Sequence, residues 1–371
     1  MLPPMRCWPS TGYVAGEMTT PNRQTMDAIV ERIQMSFAGA ATTLMVHLGD
    51  RLGFYRILTD GPATSSELAE RAGCSERYVR EWLAQQAVVG FVAFDADSGR
   101  FELPPEHALV LSEDETPTTF AGGFEALAGM YLSLDRVIEA FRSGEGFGWG
   151  EHDVRIPHGA ARFFGASYRQ HLVDEWVPSL GLESRLEDGA WVADIGCGEG
   201  VTTVLLAAAY PESKFIGIDL HQPSIEAARV RATSAGVQER VEFEFGDATS
   251  YDGGPFDAIL FFDCLHDFPD PVSAVANARR QLASDGVVAL VEPFAAAHLD
   301  ENIKTNPPAA LHYTASTFLC LPNSLATPGG AALGAQAGPK VLAQILTEGG
   351  LSSVQRVAAT PEHAVYAARP K

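Results

Sequence analysis

Three apolar runs in the second half of this chain end in acidic residues: VADI in VADIGCGEG (192–200), KFIGID, and VEFEFGDAT. The first carries Asp194 into a turn holding Gly196, Cys197, Gly198 and Gly200. A glycine-rich turn after an apolar strand is a place where backbone can approach a ligand closely. A dinucleotide turn needs a third glycine where this chain has Val201, and a triphosphate loop needs a lysine that is absent here. Asp194 and Glu199 would also oppose a pyrophosphate at short range. They suit a cation, and S-adenosylmethionine offers a sulfonium and an ammonium with no phosphate. Asp219, 25 residues beyond Asp194, is placed to accept ribose hydroxyls, and Asp247 to accept the adenine amino group. Leu220 and Ala248, next to these two acids, join the expected cofactor contacts, as does Asp263 at the end of a later strand.

That later strand runs into DAILFFDCLHDFPDP, which puts His266 and Asp267 just past its carboxyl end. Methyl transfer is an in-line displacement, so the protein must align the acceptor and, for a hydroxyl, take its proton. A histidine here is chemically suited to that, although a lone histidine near a strand end is often structural. Asp263, His266, Asp267 and Asp270 also resemble a metal cluster, but only some fit on one side of a turn and nothing else completes a site, so no metal is expected. Two loops offer pocket residues. SGEGFGWGEHD (143–153) contributes Trp149 and reads equally as a mobile loop or a plain connection. Residues 293–338, rich in Ala, Pro and Gly, contain LHYTASTFLCLPNSL and read as a partial helix and substrate lid. His312, Tyr313, Phe318 and Cys320 are its pocket candidates, with packing an equal alternative. Phe163, Tyr168 and Trp176 line the cofactor site or bury apolar area, and packing is favoured for Trp176.

These residues need a scaffold that brings strand ends together. From 190 onward strands and helices alternate: WVADI, KFIGID, RVEFEFG, DAILFF and VVALVE are strands separated by helices, and SVQRVAA and AVYAARP close the chain. Alternation predicts a parallel sheet with helices on both faces, and the short TPEH link predicts a final antiparallel hairpin. The fold class is therefore α/β, a seven-stranded doubly wound Rossmann-like sheet with its last strand antiparallel. Ahead of it, Thr64 and Glu67 form a capping box, Gly73 ends that helix, Ser75 caps the next, and GFVAFDADSGRFEL makes a two-stranded wing. Helix, turn, helix and wing predict a mostly helical winged-helix domain.

A winged helix raises the question of DNA. Residues 1–130 carry 17 acidic against 9 basic side chains, and the whole chain has a formal net charge of −21. That is the wrong footprint for phosphate backbones and for anionic membranes, so neither nucleic acid nor membrane is expected as a partner. Dimerisation or a substrate wall is the better expectation for this half. Five dispersed cysteines without a CxxC pair, together with no apparent leader, predict a reduced cytoplasmic protein.

With VADIGCGEG, FIGIDL, FGDAT and the closing hairpin in view, the sequence resembles the class I S-adenosylmethionine-dependent methyltransferases over about residues 160–371. With the winged helix in front, it resembles the two-domain small-molecule O-methyltransferases and related actinobacterial methyltransferases. The resemblance implies Gly196, Gly198 and Gly200 around the methionine part, Asp219 on the ribose and Asp247 on adenine. It also implies His266, in its His-Asp pair with Asp267, as general base, oriented by an acid at the end of the next strand, Glu292. The expected organisation is a disordered tail at 1–25, a winged-helix, dimerisation and substrate-wall domain at 26–160, and a methyltransferase domain at 161–371 with its lid at 293–338. The expected activity is methyl transfer to a hydroxyl of a small aromatic or apolar metabolite by a homodimer. Transfer to N or C without a base, and a cofactor-sensing regulator, remain as alternatives; nicotinamide-dependent reduction is disfavoured by Val201 and the flanking carboxylates.

Overall fold

A computed structural model of the protein describes residues 21–112 and 116–370. Most of the expected tail lies outside these residues, and its end is already structured: Asn22 accepts hydrogen bonds from the Gln24 and Thr25 amides and starts a helix at Arg23–Arg51. The chain divides into two compact units, Met1–Ala128 and Gly129–Lys371. The division falls within the helix Ala121–Leu132 rather than at 160/161. The segment after it belongs with the second unit because its backbone is bonded there. Phe147 N–H donates to Pro322 O at 2.9 Å, and Trp149 N–H to Asn323 Oδ1 at 2.9 Å.

In the first unit the capping box of Thr64 and Glu67 forms as the sequence predicts, starting the helix Ser65–Ala72, and Gly73 ends it at φ 63°. Ser75 does occupy the N-cap of the next helix, Glu76–Val88, but its hydroxyl makes no capping bond. Strands β1 (Ala93–Asp95) and β2 (Arg100–Glu102) pair antiparallel as the wing. The long first helix meets this module at Gly49, where any Cβ would lie 2.3 Å from the Trp82 ring. Trp82 Nε1 donates to Met45 O at 2.8 Å, which satisfies the one polar atom of a fully buried indole. On the presumed recognition helix, Arg77 pairs with Glu81 at 2.5 Å and Arg80 with Glu76 at 2.5 Å. Both arginines are thus engaged within the helix, which leaves little free positive charge for a phosphate backbone.

The second unit is built on seven strands: β3 (Trp191–Ile195), β4 (Lys214–Asp219), β5 (Val241–Phe245), β6 (Phe256–Phe262), β7 (Leu282–Pro293), β8 (Ser352–Ala359) and β9 (His363–Arg369). Their order is β5-β4-β3-β6-β7-β9-β8, with β9 antiparallel to both neighbours. Alternate residues of the central strands enter two separate cores. Ala258, Leu260 and Phe262 face one, Ile259 and Phe261 the other. Burial on both faces explains why these strands read as unbroken apolar runs rather than as alternation. The chain moves outward from β3 to β5, then returns to β6 on the other side of β3. Strand order therefore reverses between β3 and β6, and ligands bind at such a reversal in doubly wound sheets. Among the described residues, no helix is long and apolar enough to cross a membrane.

Candidate active site

A cavity of about 970 Å³ opens at the carboxyl ends of β3, β4 and β6. Gly196, Cys197 and Gly198 line it, followed by Asp219 and Leu220 after β4, Asp247 and Ala248 after β5, and Asp263, His266 and Asp267 after β6. Trp149, His312 and Cys320 line it too, as does Tyr168. The sequence expectations thus converge on one place.

The glycine turn is shaped by backbone geometry. Gly196 sits at φ 73°, and a Cβ there would lie 2.9 Å from Cys264. Gly198, at φ 53°, donates its N–H to Asp219 Oδ2 at 2.8 Å, and His221 N–H donates to Asp219 Oδ1 at 2.7 Å. Asp219 therefore links the turn to the following strand end. Burial raises its pKa against those two amide bonds. Asp247 is organised more loosely, accepting from Thr249 N–H and Oγ1, both at 2.7 Å.

Two expected cofactor residues do different work. Asp194 is 1% exposed and does not line the cavity. Its Oδ2 accepts the hydroxyls of Thr202 and Thr203, each at 2.6 Å, at the start of the helix Val201–Ala209. Gly200 is also off the cavity. It begins that helix at φ 71°, where a Cβ would meet Phe243 at 2.6 Å and Ala228 at 2.8 Å. Both residues hold the turn from behind.

Beyond β6 the backbone makes a short 3-10 turn, Leu265–Asp267. His266 is 4% exposed, and its Nδ1 is hydrogen-bonded to Glu292 Oε2 at the end of β7, which is 2% exposed. Its Nε2 lies 3.2 Å from Asp267 Oδ1. Glu292 does not line the cavity; it acts from beneath. Burial disfavours a charged His266, but the negative charges of Glu292 and Asp267 outweigh it and hold the imidazole well above the ordinary histidine value. Burial also raises both carboxyls, so the three groups share protons within one buried cluster.

Asp263 adopts φ 49°, rare for a non-glycine residue, and is held by Tyr168 Oη donating to its Oδ2 at 2.6 Å. His363 Nε2 lies 3.0 Å from the same oxygen. Burial pushes Asp263 up, but the His363 charge and these bonds outweigh it and keep its pKa low. The metal cluster that the sequence suggests does not assemble, because Asp263 is spent here and Asp270 accepts from Ser273 N–H as a helix cap. Instead His266, Asp267 and Cys320 place ligand atoms within 4.8 Å of one another. Burial pushes the Cys320 thiol up to about 12, so as it stands this cluster holds a protonated thiol.

The remaining candidates separate cleanly. Tyr313 and Phe318 are off the cavity, and the Tyr313 hydroxyl instead accepts from Asn302. Phe163 is also off it, while its neighbour Phe164, which the sequence reading missed, lines it. Trp176 is fully buried in the sheet core. The loop 143–153 is pinned rather than loose: a Cβ on Gly146 would lie 2.0 Å from Pro322 O. Asn323 ties this loop to the turn after β6, taking the Trp149 N–H and donating to Asp267 O at 3.0 Å. The segment 293–338, expected as a lid, is more helical than its composition suggests, with helices at Leu299–Thr305, Ala309–Ala315 and Leu321–Leu325. His221 and Arg280 also line the cavity, and no motif in the sequence singled them out.

Comparison with known proteins agrees with this geometry. Residues 186–349 match the family described as methyltransferase domain, and residues 40–113 match the Rv2258c-like winged HTH domain. Mitomycin biosynthesis 6-O-methyltransferase of Streptomyces lavendulae is 27% identical over 268 residues, 67% of this chain and 73% of that protein. The 27-O-demethylrifamycin SV methyltransferase of Amycolatopsis mediterranei (strain S699) is 29% identical over 180 residues, 47% of this chain and 58% of that protein. Shorter matches include enzymes named for N-methylation. Human N-acetylserotonin methyltransferase, solved in complex with SAM, has a similar fold: TM-score 0.67 at 16% identity, covering 95% of this chain and 100% of that one. The chain is an S-adenosylmethionine-dependent methyltransferase, its methyltransferase domain preceded by an Rv2258c-like winged helix-turn-helix domain.

Proposed function

We propose that this protein methylates a hydroxyl oxygen of a small aromatic or apolar molecule, with His266 receiving the hydroxyl proton. The observation that carries the reading is the buried His266–Glu292 pair at the rim of the reversal point, where Glu292 holds Nδ1, Asp267 lies beside Nε2, and the imidazole lines the cavity. An N or C acceptor would not require it. Two relatives, both named as methyltransferases of oxygen positions, support the same atom.

The cavity fits the cofactor's chemistry. Gly196, where the turn leaves no room for a side chain, would receive the methionine part together with Cys197 and Gly198. Asp219 and Leu220 would hold the ribose, Asp247 and Ala248 the adenine, and Asp263 would add a carboxylate near the methionine end. When bound, the cofactor supplies a methyl group on a positively charged sulfur. This chain's task is then alignment and proton removal. Glu292 fixes the imidazole through Nδ1, and Nε2, 3.2 Å from Asp267 Oδ1, would be the nitrogen that takes the acceptor's proton.

The first unit supports a homodimer. Met26, Val30, Ile33, Phe37 and Leu44 recur at helical spacing along Arg23–Arg51, and all are exposed. A contiguous apolar stripe on a helix is the signature of a partner helix.

Calorimetric titration with S-adenosylmethionine, S-adenosylhomocysteine and NADH tests the cofactor assignment. Binding of the first two alone is expected. Asp219→Ala should weaken both by a charge-assisted hydrogen bond of ~1.5–3 kcal/mol, and unchanged affinity would remove Asp219 from the ribose.

A further inference from the structure

His312 lies on the helix Ala309–Ala315, is 7% exposed and lines the cavity. Its Nδ1 is 3.2 Å from Gln336 Nε2. The Gln336 amide cannot flip. Its Nε2 faces two acceptors, Phe294 O at 3.1 Å and Ala335 O at 2.9 Å. Its Oε1 faces two donors, the side-chain amides of Asn302 at 3.2 Å and Asn306 at 3.4 Å. Those amides are buried and fixed in turn. Asn302 Oδ1 accepts from Ala296 N–H at 2.9 Å and from Asn306 Nδ2 at 3.0 Å, while Asn306 Nδ2 also donates to Phe294 O at 2.9 Å.

An amide nitrogen has no lone pair to offer, so the neutral His312 ring presents its bare Nδ1 to Gln336, whose two N–H donors are shared among three acceptors. The proton of the neutral ring then sits on Nε2, which has no hydrogen-bond partner among the described residues. Burial, and the nearby positive charge of His363 and His266, push the His312 pKa down to about 4 against the pull of Asp263. The ring is neutral at physiological pH. A three-amide network under the lid thus has one chemical output: a neutral N–H donor of fixed tautomer in the same cavity as His266. It is a poor base, since its only accepting nitrogen is occupied, but a good partner for a carbonyl oxygen.

We propose that His312 determines acceptor specificity by donating from Nε2 to an oxygen other than the one methylated, so that the acceptors are aromatic compounds whose reactive hydroxyl is accompanied by a carbonyl. The inference rests on the methyltransferase reading of the cavity. A buried donor left unpaired is costly, so a compound lacking that oxygen is rejected.

The test uses full-length protein saturated with S-adenosylhomocysteine, titrated with 1-hydroxyanthraquinone and with 1-hydroxyanthracene, which shares the three rings and hydroxyl but has no carbonyl. Wild type should prefer the quinone by ~10–100-fold, the range set by one unmet buried hydrogen bond. His312→Phe should erase the preference while leaving S-adenosylhomocysteine affinity unchanged. Gln336→Leu should weaken it too without removing the imidazole, because Nδ1 loses its amide neighbour and the ring proton is no longer held on Nε2. Equal binding of the two compounds by wild type overturns the proposal, as does a preference that survives in both variants, or binding of neither compound by protein that holds S-adenosylhomocysteine. Failure to bind S-adenosylhomocysteine at all would instead overturn the cofactor assignment.

Discussion

As the proposed general base, His266 would have to lose a proton before it could take one. Burial disfavours the charged imidazole, but Glu292 and Asp267 outweigh it and hold its pKa well above the ordinary 6.5, which favours the protonated ring. The competent base accumulates only as pH rises. kcat/KM should therefore climb with pH along a limb centred above 6.5. Glu292→Gln removes one of the two negative charges, so the limb should move toward lower pH, with a lower plateau because Nδ1 loses its anchor. A pH–rate profile that is flat, or a limb unmoved in Glu292→Gln, would show that this pair does not carry the proton. His266→Ala should cut turnover by ~10²–10⁴-fold and leave cofactor affinity alone. Near-normal turnover in that variant would make the ring structural. The pair itself was visible in the sequence, since LHD and VEP end consecutive strands. What lies around it was not: the Tyr168–Asp263–His363 contacts join residues 95 and 100 positions apart, and no local spacing encodes them.

The central strands were legible because both faces of the sheet are buried there, which makes β6 and the end of β7 apolar runs, whereas the edge strands β5 and β8 alternate, and turn residues end them all. Less legible was the division of labour within the glycine turn. Asp194, inside β3, and Gly200, at the helix start, belong to the same motif as the cavity residues, yet which motif positions face the cavity depends on backbone direction that the pattern does not carry. Asp194 in consequence has a thermodynamic signature. Burial pushes it up to about 6 from an ordinary 3.8, against the bonds from Thr202 and Thr203. The folded state thus binds this proton more tightly than the open chain does. The group's contribution to stability is complete below pH 3.8 and is lost as pH rises through about 6, a change of roughly 3 kcal/mol. Asp194→Asn keeps an oxygen for both threonine hydroxyls and removes the buried charge. It should raise stability at pH 7 by up to about 3 kcal/mol and change little at pH 4, as read from denaturant unfolding at the two pH values. A loss of stability at pH 7 would mean that the charge is needed to hold the helix start.

At the scale of the whole chain, composition already placed an acidic, helical half ahead of the sheet, but it did not locate the boundary. Helices lie on both sides of the loop 143–153, from Ala121 to His171, and only long-range bonds such as Phe147 to Pro322 assign the segment after Ala128 to the second unit. Composition also could not say which apolar residues stay uncovered. In Arg23–Arg51 only Val46 and Gly49 are buried, while Ile33 is 61% and Phe37 78% exposed. Single exposed apolar residues are ordinary, but a row repeating every three or four positions along one helix is not. A second copy of the chain offers the same stripe, and a two-fold pairing buries both at once. The expected outcome is a dimer at micromolar concentration by sedimentation velocity, and a monomer for the double variant Ile33→Glu, Phe37→Glu. Charges placed at the centre of an apolar seam meet their symmetry mates, so the penalty is counted twice. Because the stripe lies outside the cavity, the monomeric variant should keep its affinity for S-adenosylhomocysteine. A wild type that sediments as a monomer would refute the pairing, and a variant that remains dimeric would place the interface elsewhere.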